Sequence, residues 1–365
     1  MRSFPSVPPV RSASLAVLGS GLTAALAAAL VALPLAGTAA AGPAPGAASA
    51  AVRAPAPPAP SAFTIEDPRI TESSGLAPSR AHPGVYWTHN DSGDSPRVYA
   101  VDGRTGRTVA TVTLRGIGSA RDVEGISVGP DGNVYVGDIG DNLDGWKEVW
   151  IYRFPEPKRL ADGLSVTATQ LTVRYQGGPR NAEAIMVHPR TGRVYIASKS
   201  ETDGGLYEGP ARLSSRGVNT FRRVADLGDL WVTDGAFSPD GTRLVLRSYF
   251  MARMFRWRDG KPEDLGRLSV PMQHQGESVA FSPDGRALLY GTEGERSEVE
   301  PEELSGEQLP DSVPEDDGKG GAARTGGGSG GDDGDGKDGN FAVGAVIFAA
   351  AAALVVGLRR VLRRG

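Results

Sequence analysis

The chain has 365 residues, 22% of them charged and 39% hydrophobic, with no cysteine and a formal net charge of −4. The lack of cysteine excludes disulfide stapling, so a domain of this size must be stabilised by burial alone. Fifteen acidic and four basic residues fall between positions 293 and 340; the middle of the chain is close to neutral, which leaves no electrostatic footprint for nucleic acid.

Residues 1–41 read as a cleaved secretory signal. Arg2 and Arg11 make a basic start, Leu15 to Leu35 is an Ala/Leu-rich apolar run, and Ala39-Ala40-Ala41 offers a small-residue cleavage site. An uncleaved anchor is the competing reading of that run. Residues 42–61, rich in Ala and Pro, read as a spacer.

Residues 62–295 repeat one device: a carboxylate, a short apolar strand, a proline turn and a second strand. The copies begin at Glu72, Glu124, Glu183, Asp234 and Glu277 and reach Pro78, Pro130, Pro189, Pro239 and Pro283. Acid and proline are six apart in four copies and five apart in the fourth. Successive prolines lie 52, 59, 50 and 44 residues apart, the length of a four-stranded propeller blade. Pro-Asp-Gly at 130–132, 239–241 and 283–285 is hairpin chemistry, because Gly accepts the backbone twist that the turn requires. No long run here has helical periodicity. The expectation is an all-β β-propeller of five blades, with Phe63 to Ile70 closing the ring on the last blade. Six blades is the alternative, if a degenerate blade hides in the longest interval or near the closure.

Residues 296–340 are acidic and Gly-rich and read as a disordered, self-repelling stalk. Phe341 to Leu358 is an uncharged run long enough for one transmembrane helix, and Arg359, Arg360, Arg363 and Arg364 in the tail 359–365 place that end in the cytoplasm. The expected topology is a single-pass cell-membrane protein with its ectodomain outside the cell.

Radial repetition returns equivalent positions to one axis, so the five acids should share a vestibule. The loops after second strands belong to the same face. The expected funnel mouth contains Glu72, Asn90, Asp91, Arg121, Glu124, Asp138, Arg180, Glu183, Lys199, Asp234, Arg247 and Glu277, while the proline end reads as turns alone. At about 10 Å and an effective dielectric near 20, each like-charged pair costs about 1.7 kcal/mol. Protonation, a cation or arginines must offset this, and three readings are open: arginines and main-chain amides satisfy the acids; a hard cation, Ca²⁺ above all, sits on Glu124, Asp138, Asp141 and Glu183; or the acids serve catalysis or ligand binding without metal. Ser127 sits in a G-x-S-x-G string, but inside a strand leading to a hairpin, the wrong context for a hydrolase nucleophile. His82, His89, His188 and His274 lack zinc spacing.

The strings Glu72-Ser-Ser-Gly-Leu, Trp87-Thr-His-Asn-Asp91, Asp122-Val-Glu-Gly-Ile126 and Gly137-Asp-Ile-Gly-Asp-Asn142 resemble those of exported, membrane-anchored bacterial propeller proteins described as WD-repeat-like. More distantly they are similar to calcium-dependent propeller phytases and gluconolactonase-type propellers. The phytase resemblance implies calcium in the mouth gripping phosphate, with Arg121, Arg180, Lys199 and Arg247 as the phosphate contacts available here. Two functions follow as expectations. One is a surface-tethered binding module for a small ligand, glycan or protein; the other is a Ca²⁺-dependent hydrolase of phosphoesters or lactones.

Overall fold

The computed structural model describes residues 60–91 and 96–315. The expected signal, nearly all of the expected spacer, the expected stalk beyond 315, the expected membrane helix Phe341–Leu358 and the basic tail lie outside the described residues. Among the described residues no helix is long and apolar enough to cross a membrane.

The chain builds a succession of antiparallel meanders. A short β1 (Phe63–Thr64) precedes the first, which is β2 (Ser73–Pro78), β3 (Val85–Asn90), β4 (Arg97–Asp102) and β5 (Thr108–Arg115). The second is β6 (Val123–Val128), β7 (Asn133–Asp138), β8 (Val149–Pro155) and, after an excursion through β9 (Leu164–Thr167), β10 (Thr169–Tyr175). Strands β11 (Ala182–Val187), β12 (Val194–Ser198), β13 (Gly204–Glu208) and β14 (Asn219–Gly228) follow. Next come β15 (Asp234–Phe237), β16 (Arg243–Arg247), β17 (Ala252–Arg258) and β18 (Lys261–Leu268). The last meander is β19 (Gly276–Phe281), β20 (Ala287–Thr292) and β21 (Glu298–Glu303), completed by β1, whose Phe63 pairs with Val299.

The first strands β2, β6, β11, β15 and β19 each pack against the next, and β19 packs against β2. That closed order of inner strands is a propeller. Its apolar core is divided accordingly, with one buried cluster between each pair of consecutive meanders and one between the last and the first. In the first cluster Trp87 is fully buried, meets Phe154 edge-on at 6.4 Å, and donates its Nε1–H to Glu156 Oε1 at 2.7 Å. Each Val, Ile or Leu buried in these layers contributes about 1.5–3 kcal/mol. Two parallel pairings stitch the outer edges: β9 onto β5 and β10 onto β14.

The Pro-Asp-Gly turns explain themselves. Asp131, Asp240 and Asp284 each accept the main-chain N–H two residues on, at 3.0–3.2 Å, and the following glycines sit at φ 71°, 75° and 74°, where a Cβ is strained. The reading of 296–340 as stalk is corrected at its start. Strand β21 lies within it, because Val299 is buried against the closing Phe63 and only its neighbours in sequence are acidic. Residues 304–315 then run along the turn face, where Asp311 N donates to Thr242 Oγ1 at 3.0 Å and Ser312 N to Asp240 Oδ2 at 2.9 Å.

Candidate functional site

The starts of the first strands and the ends of the second strands share the face opposite the proline turns. Local geometry decides which acids enter the vestibule there. Between β6 and β7 the register slips by one residue between Val123 and Gly125, so Glu124 is the extra, unpaired residue of a bulge. Glu183 holds the same place between Ala182 and Ala184, and Glu277 between Gly276 and Ser278. A bulge re-aims the side chain it carries. The inner strands also approach closely: a Cβ on Gly125 would lie 2.8 Å from Glu183 O.

These three carboxylates feel one another. Burial, followed by the charges of Asp91, Glu183 and Asp122, pushes Glu124 well above the usual carboxylate range, with Lys199 acting the other way. Glu183 is pushed up to about 8, mainly by burial; Lys199 draws it down and Glu277 and Asp91 raise it. Glu277 is raised by burial against the pull of Lys199 and a hydrogen bond from Gln275. Glu293, at the end of the last second strand, reaches about 8 through burial and the charges of Glu277, Asp91 and Glu72. Gln275 Nε2–H spans Glu277 Oε1, at 3.0 Å, and Glu293 Oε2.

Lys199 is the cation facing this group. Its Nζ donates to Glu183 Oε1 and to the Tyr249 hydroxyl, each at 2.6 Å, and lies 4.6 Å from the Tyr249 ring centroid and 5.2 Å from that of Trp231. Trp231 and Tyr249 meet edge-on at 5.5 Å, giving the mouth one aromatic wall beside its carboxylates.

Three other acids, Asp138, Asp141 and Asp234, are committed to the scaffold. Asp138 is fully buried and accepts the N–H groups of Arg121 (3.1 Å) and Asp122 (2.9 Å) and the hydroxyl of Tyr152 (2.5 Å). Asp141 accepts Gly145 N and Trp146 N, which shapes its loop. Asp234 accepts Gly235 N at 2.7 Å and Val279 N at 2.9 Å, tying the fourth meander to the fifth. Asn90 Oδ1 accepts Thr71 N and Glu72 N, while its Nδ2–H reaches Arg69 O. Glu72 stays half-buried at the rim.

Among the described residues no arginine forms an ion pair with a bulge acid, although the charge of Arg247 draws Glu277 down. Arg121 is clamped between Trp146 (3.9 Å) and Trp150 (3.6 Å), with Nη2–H on Glu148 O and its nearest ion pair to Asp138 at 3.9 Å. Arg180 lies over Tyr207 and reaches Asp203 at 3.9 Å. Arg247 is buried and spends its guanidinium on Ser278 O (2.7 Å), Gly291 O (3.0 Å) and Gln273 Oε1 (2.8 Å).

The structure draws the set able to share an ion differently from the sequence. Asp91, Asp122 and Glu124 each offer an oxygen, and the three oxygens lie within 4.8 Å of one another. Of the four residues expected as ligands, Glu124 alone is in this trio; Asp138 and Asp141 are engaged by main-chain amides, and Glu183 faces Lys199. Asp122 is steadied by Asn142 Nδ2–H at 3.1 Å. A Cβ on Gly140 would lie 2.4 Å from Glu124 Oε1 and 2.7 Å from Asp122 Oδ2, so the trio needs glycine there. Sequence reasoning puts the loops carrying Glu293 and Tyr249 on this face without naming either as a binding residue, and it leaves out Asp122 and Gln275. The signal for Asp122 was its place in Asp122-Val-Glu124, two residues before the repeated acid and beside the strand start that delivers it.

No protein-family model and no curated protein sequence matches the chain. Among solved structures it is similar to the PQQ-bound aldose sugar dehydrogenase of Streptomyces coelicolor, at 14% identity and a TM-score of 0.40, covering 68% of this chain and 99% of that one. It is also similar to a gluconolactonase of Xanthomonas campestris, at 19% identity and a TM-score of 0.41, covering 63% of this chain and 73% of that one. Overlap at this level assigns neither substrate nor cofactor.

Proposed function

We propose that this chain is an exported, single-pass membrane protein whose five-bladed propeller is a binding module, with the acidic mouth as its recognition face. The observation that supports it most is the crowding of buried carboxyls at that mouth, raised above the usual range by burial and by one another so that they hold protons a cation would displace. Glu72, Asp91, Asp122, Glu124, Glu183, Glu277 and Glu293 converge there, Lys199 faces them, and the nearby arginines are spent on main-chain carbonyls, indole rings and Asp203. A ligand that brings positive charge lets these carboxyls ionise.

A hard divalent cation, Ca²⁺, fits best at Asp91, Asp122 and Glu124. The donor set is all oxygen, and calcium accepts six to eight oxygens in flexible geometry; main-chain carbonyls and oxygens of a bound glycan or protein would complete the shell. Both ends of the described domain lie toward the turn face. In this reading the tether leaves the domain from the turn face, and the mouth on the opposite face is left open to what the protein binds.

The test is thermal melting of the full chain in detergent with calcium or with chelator. A cation that binds only the folded state at 100 times its Kd stabilises it by about 2.7 kcal/mol, so the midpoint should rise with calcium and Glu124→Gln should abolish the rise. An unchanged midpoint removes the cation from the reading.

A calcium-dependent hydrolase of phosphoesters or lactones is the second reading, favoured by the Glu183–Lys199 pair beside the trio. The cation, when bound, supplies polarisation of a carbonyl or phosphoryl oxygen. Glu183, held near pH 8, could exchange a proton with water at neutral pH, and Lys199 would face an anionic group. Turnover of a chromogenic phosphomonoester or lactone that Glu183→Gln abolishes, with the calcium response intact, would select it.

A further inference from the structure

The turn end of the propeller axis, which the sequence reads as turns alone, holds a cavity of about 370 Å³. All five inner strands contribute to its wall, through Leu76, Ile126, Val187, Ala236 and Phe281 among others. The repeat prolines Pro78, Pro189, Pro239 and Pro283 ring the entrance and offer no N–H donor. The hydroxyls in the lining are already engaged: Ser79 donates to Glu156, Ser127 accepts Val187 N–H, and Ser238 donates to Asp240. What remains is a lining of apolar side chains interspersed with main-chain polar groups and one charged side chain, Arg80, which is exposed and makes no ion pair with another described residue.

We propose that this cavity is a second binding site, independent of the mouth, for a small apolar carboxylic acid. Its hydrocarbon or aromatic body would be buried against the inner strands, and its carboxylate would pair with Arg80. The reasoning is complementarity. A concave apolar site of this volume is in the range that holds small molecules, with a few placed polar groups fixing their orientation. Here the one charged side chain is a guanidinium, whose fork matches a carboxylate. An alcohol of the same skeleton gains the burial without the ion pair, and an ammonium meets a like charge.

The experiment is calorimetric titration of the full chain with phenylbutyrate and with phenylbutanol, in matched detergent buffer. Phenylbutyrate should bind saturably at one site and more tightly than the alcohol. Arg80→Gln, an exposed change, should weaken the acid about tenfold, to the level of the alcohol, and leave the alcohol unchanged. Ala236→Phe, which fills the cavity, should abolish both while the chain still melts cooperatively. The proposal is overturned if the acid gives no saturable heat, if Arg80→Gln leaves its affinity intact, or if Ala236→Phe still binds. Binding that appears only after residues 42–59 are deleted would assign the cavity to the chain's own Ala/Pro segment and overturn it equally. Chelator should change none of these heats, so failure here is separable from failure at the mouth.

Discussion

The fourth meander and its neighbours start from one sequence device and put the acid to opposite uses. In β6, β11 and β19 the acid is the extra residue of a bulge and turns into the vestibule. In β15 the pairing with β16 is regular from Asp234 onward, and the carboxylate is held by the amides of Gly235 and Val279. The difference is one residue of spacing: six from acid to proline where there is a bulge, five where there is none. The second use is structural, the first leaves charge available to a ligand.

That contrast predicts which substitutions unfold the protein. The largest effect belongs to the fourth meander. Arg247→Leu strands the carbonyls of Ser278 and Gly291 in the interior and should cost about 3–5 kcal/mol in urea unfolding. Asp234→Ala, which orphans two buried N–H groups, should cost about 2–4 kcal/mol. Glu124→Gln keeps the shape of a bulge acid and removes only its ability to ionise; its stability without calcium should stay within about 1 kcal/mol of the parent. An equal loss for Asp234→Ala and Glu124→Gln would erase the distinction between the two uses.

Gly140→Ala sharpens the same comparison from outside the strands. The new methyl would push into Glu124 and Asp122 and cannot be accommodated without moving the trio. The calcium-dependent rise in melting temperature, worth about 2.7 kcal/mol at 100 times Kd, should vanish, at a folding cost of about 1–3 kcal/mol. A calcium response that survives would place the ion elsewhere.

The pH response has the next largest expected size. A carboxyl raised to about 8, as Glu183 and Glu293 are, keeps in the folded state a proton that the unfolded chain releases above about 4.5. The folded state binds more protons through that window, so stability falls as pH rises from about 4.5 to 8. Between pH 6 and 8 the loss is about 2 kcal/mol for one such group. Saturating calcium favours the ionised mouth and should flatten or reverse the slope, which melting curves with and without chelator would read directly.

Much of this was legible in the chain. The repeat, its length, the turn chemistry and the closure by Phe63 follow from local pattern, because each turn and each inner strand carries its own signal. The spacing of six against five was visible too, but its meaning was not. A bulge is a property of two paired strands, and nothing within one strand states which residue is surplus. The fate of the arginines was hidden for a similar reason. Arg121 stands three residues before Glu124, yet Trp146 and Trp150 come from the far side of a loop to clamp it. Strand β21 was read as stalk because composition weighs Glu298, Glu300 and Glu302 more heavily than the one buried valine between them.

The first meander supplies the smallest predicted effect, of opposite sign. Its bulge falls between Ser74 and Ala77, past the acid, with Gly75 at φ 80° inside it; Glu72 is left at the rim. The titratable group against this bulge is His89, paired in register with Ser74. Its Nδ1–H donates to Asn90 O at 3.0 Å, while Nε2 is buried with no hydrogen-bond partner and lies 3.1 Å from where a Gly75 Cβ would be. Burial lowers this imidazole to about 4. The unfolded chain protonates it below about 6.5 and the folded chain resists, so stability is lost as pH falls from about 6.5 toward 4. From pH 6.5 to 5.5 the loss is about 1 kcal/mol or less, running against the gain from the carboxylates. His89→Gln cannot take up a proton and should abolish this acid limb while leaving the limb above pH 6 in place. If the variant instead flattens the melting profile above pH 6, the imidazole and the bulge acids form one titrating unit, and the first meander belongs with the second, third and fifth.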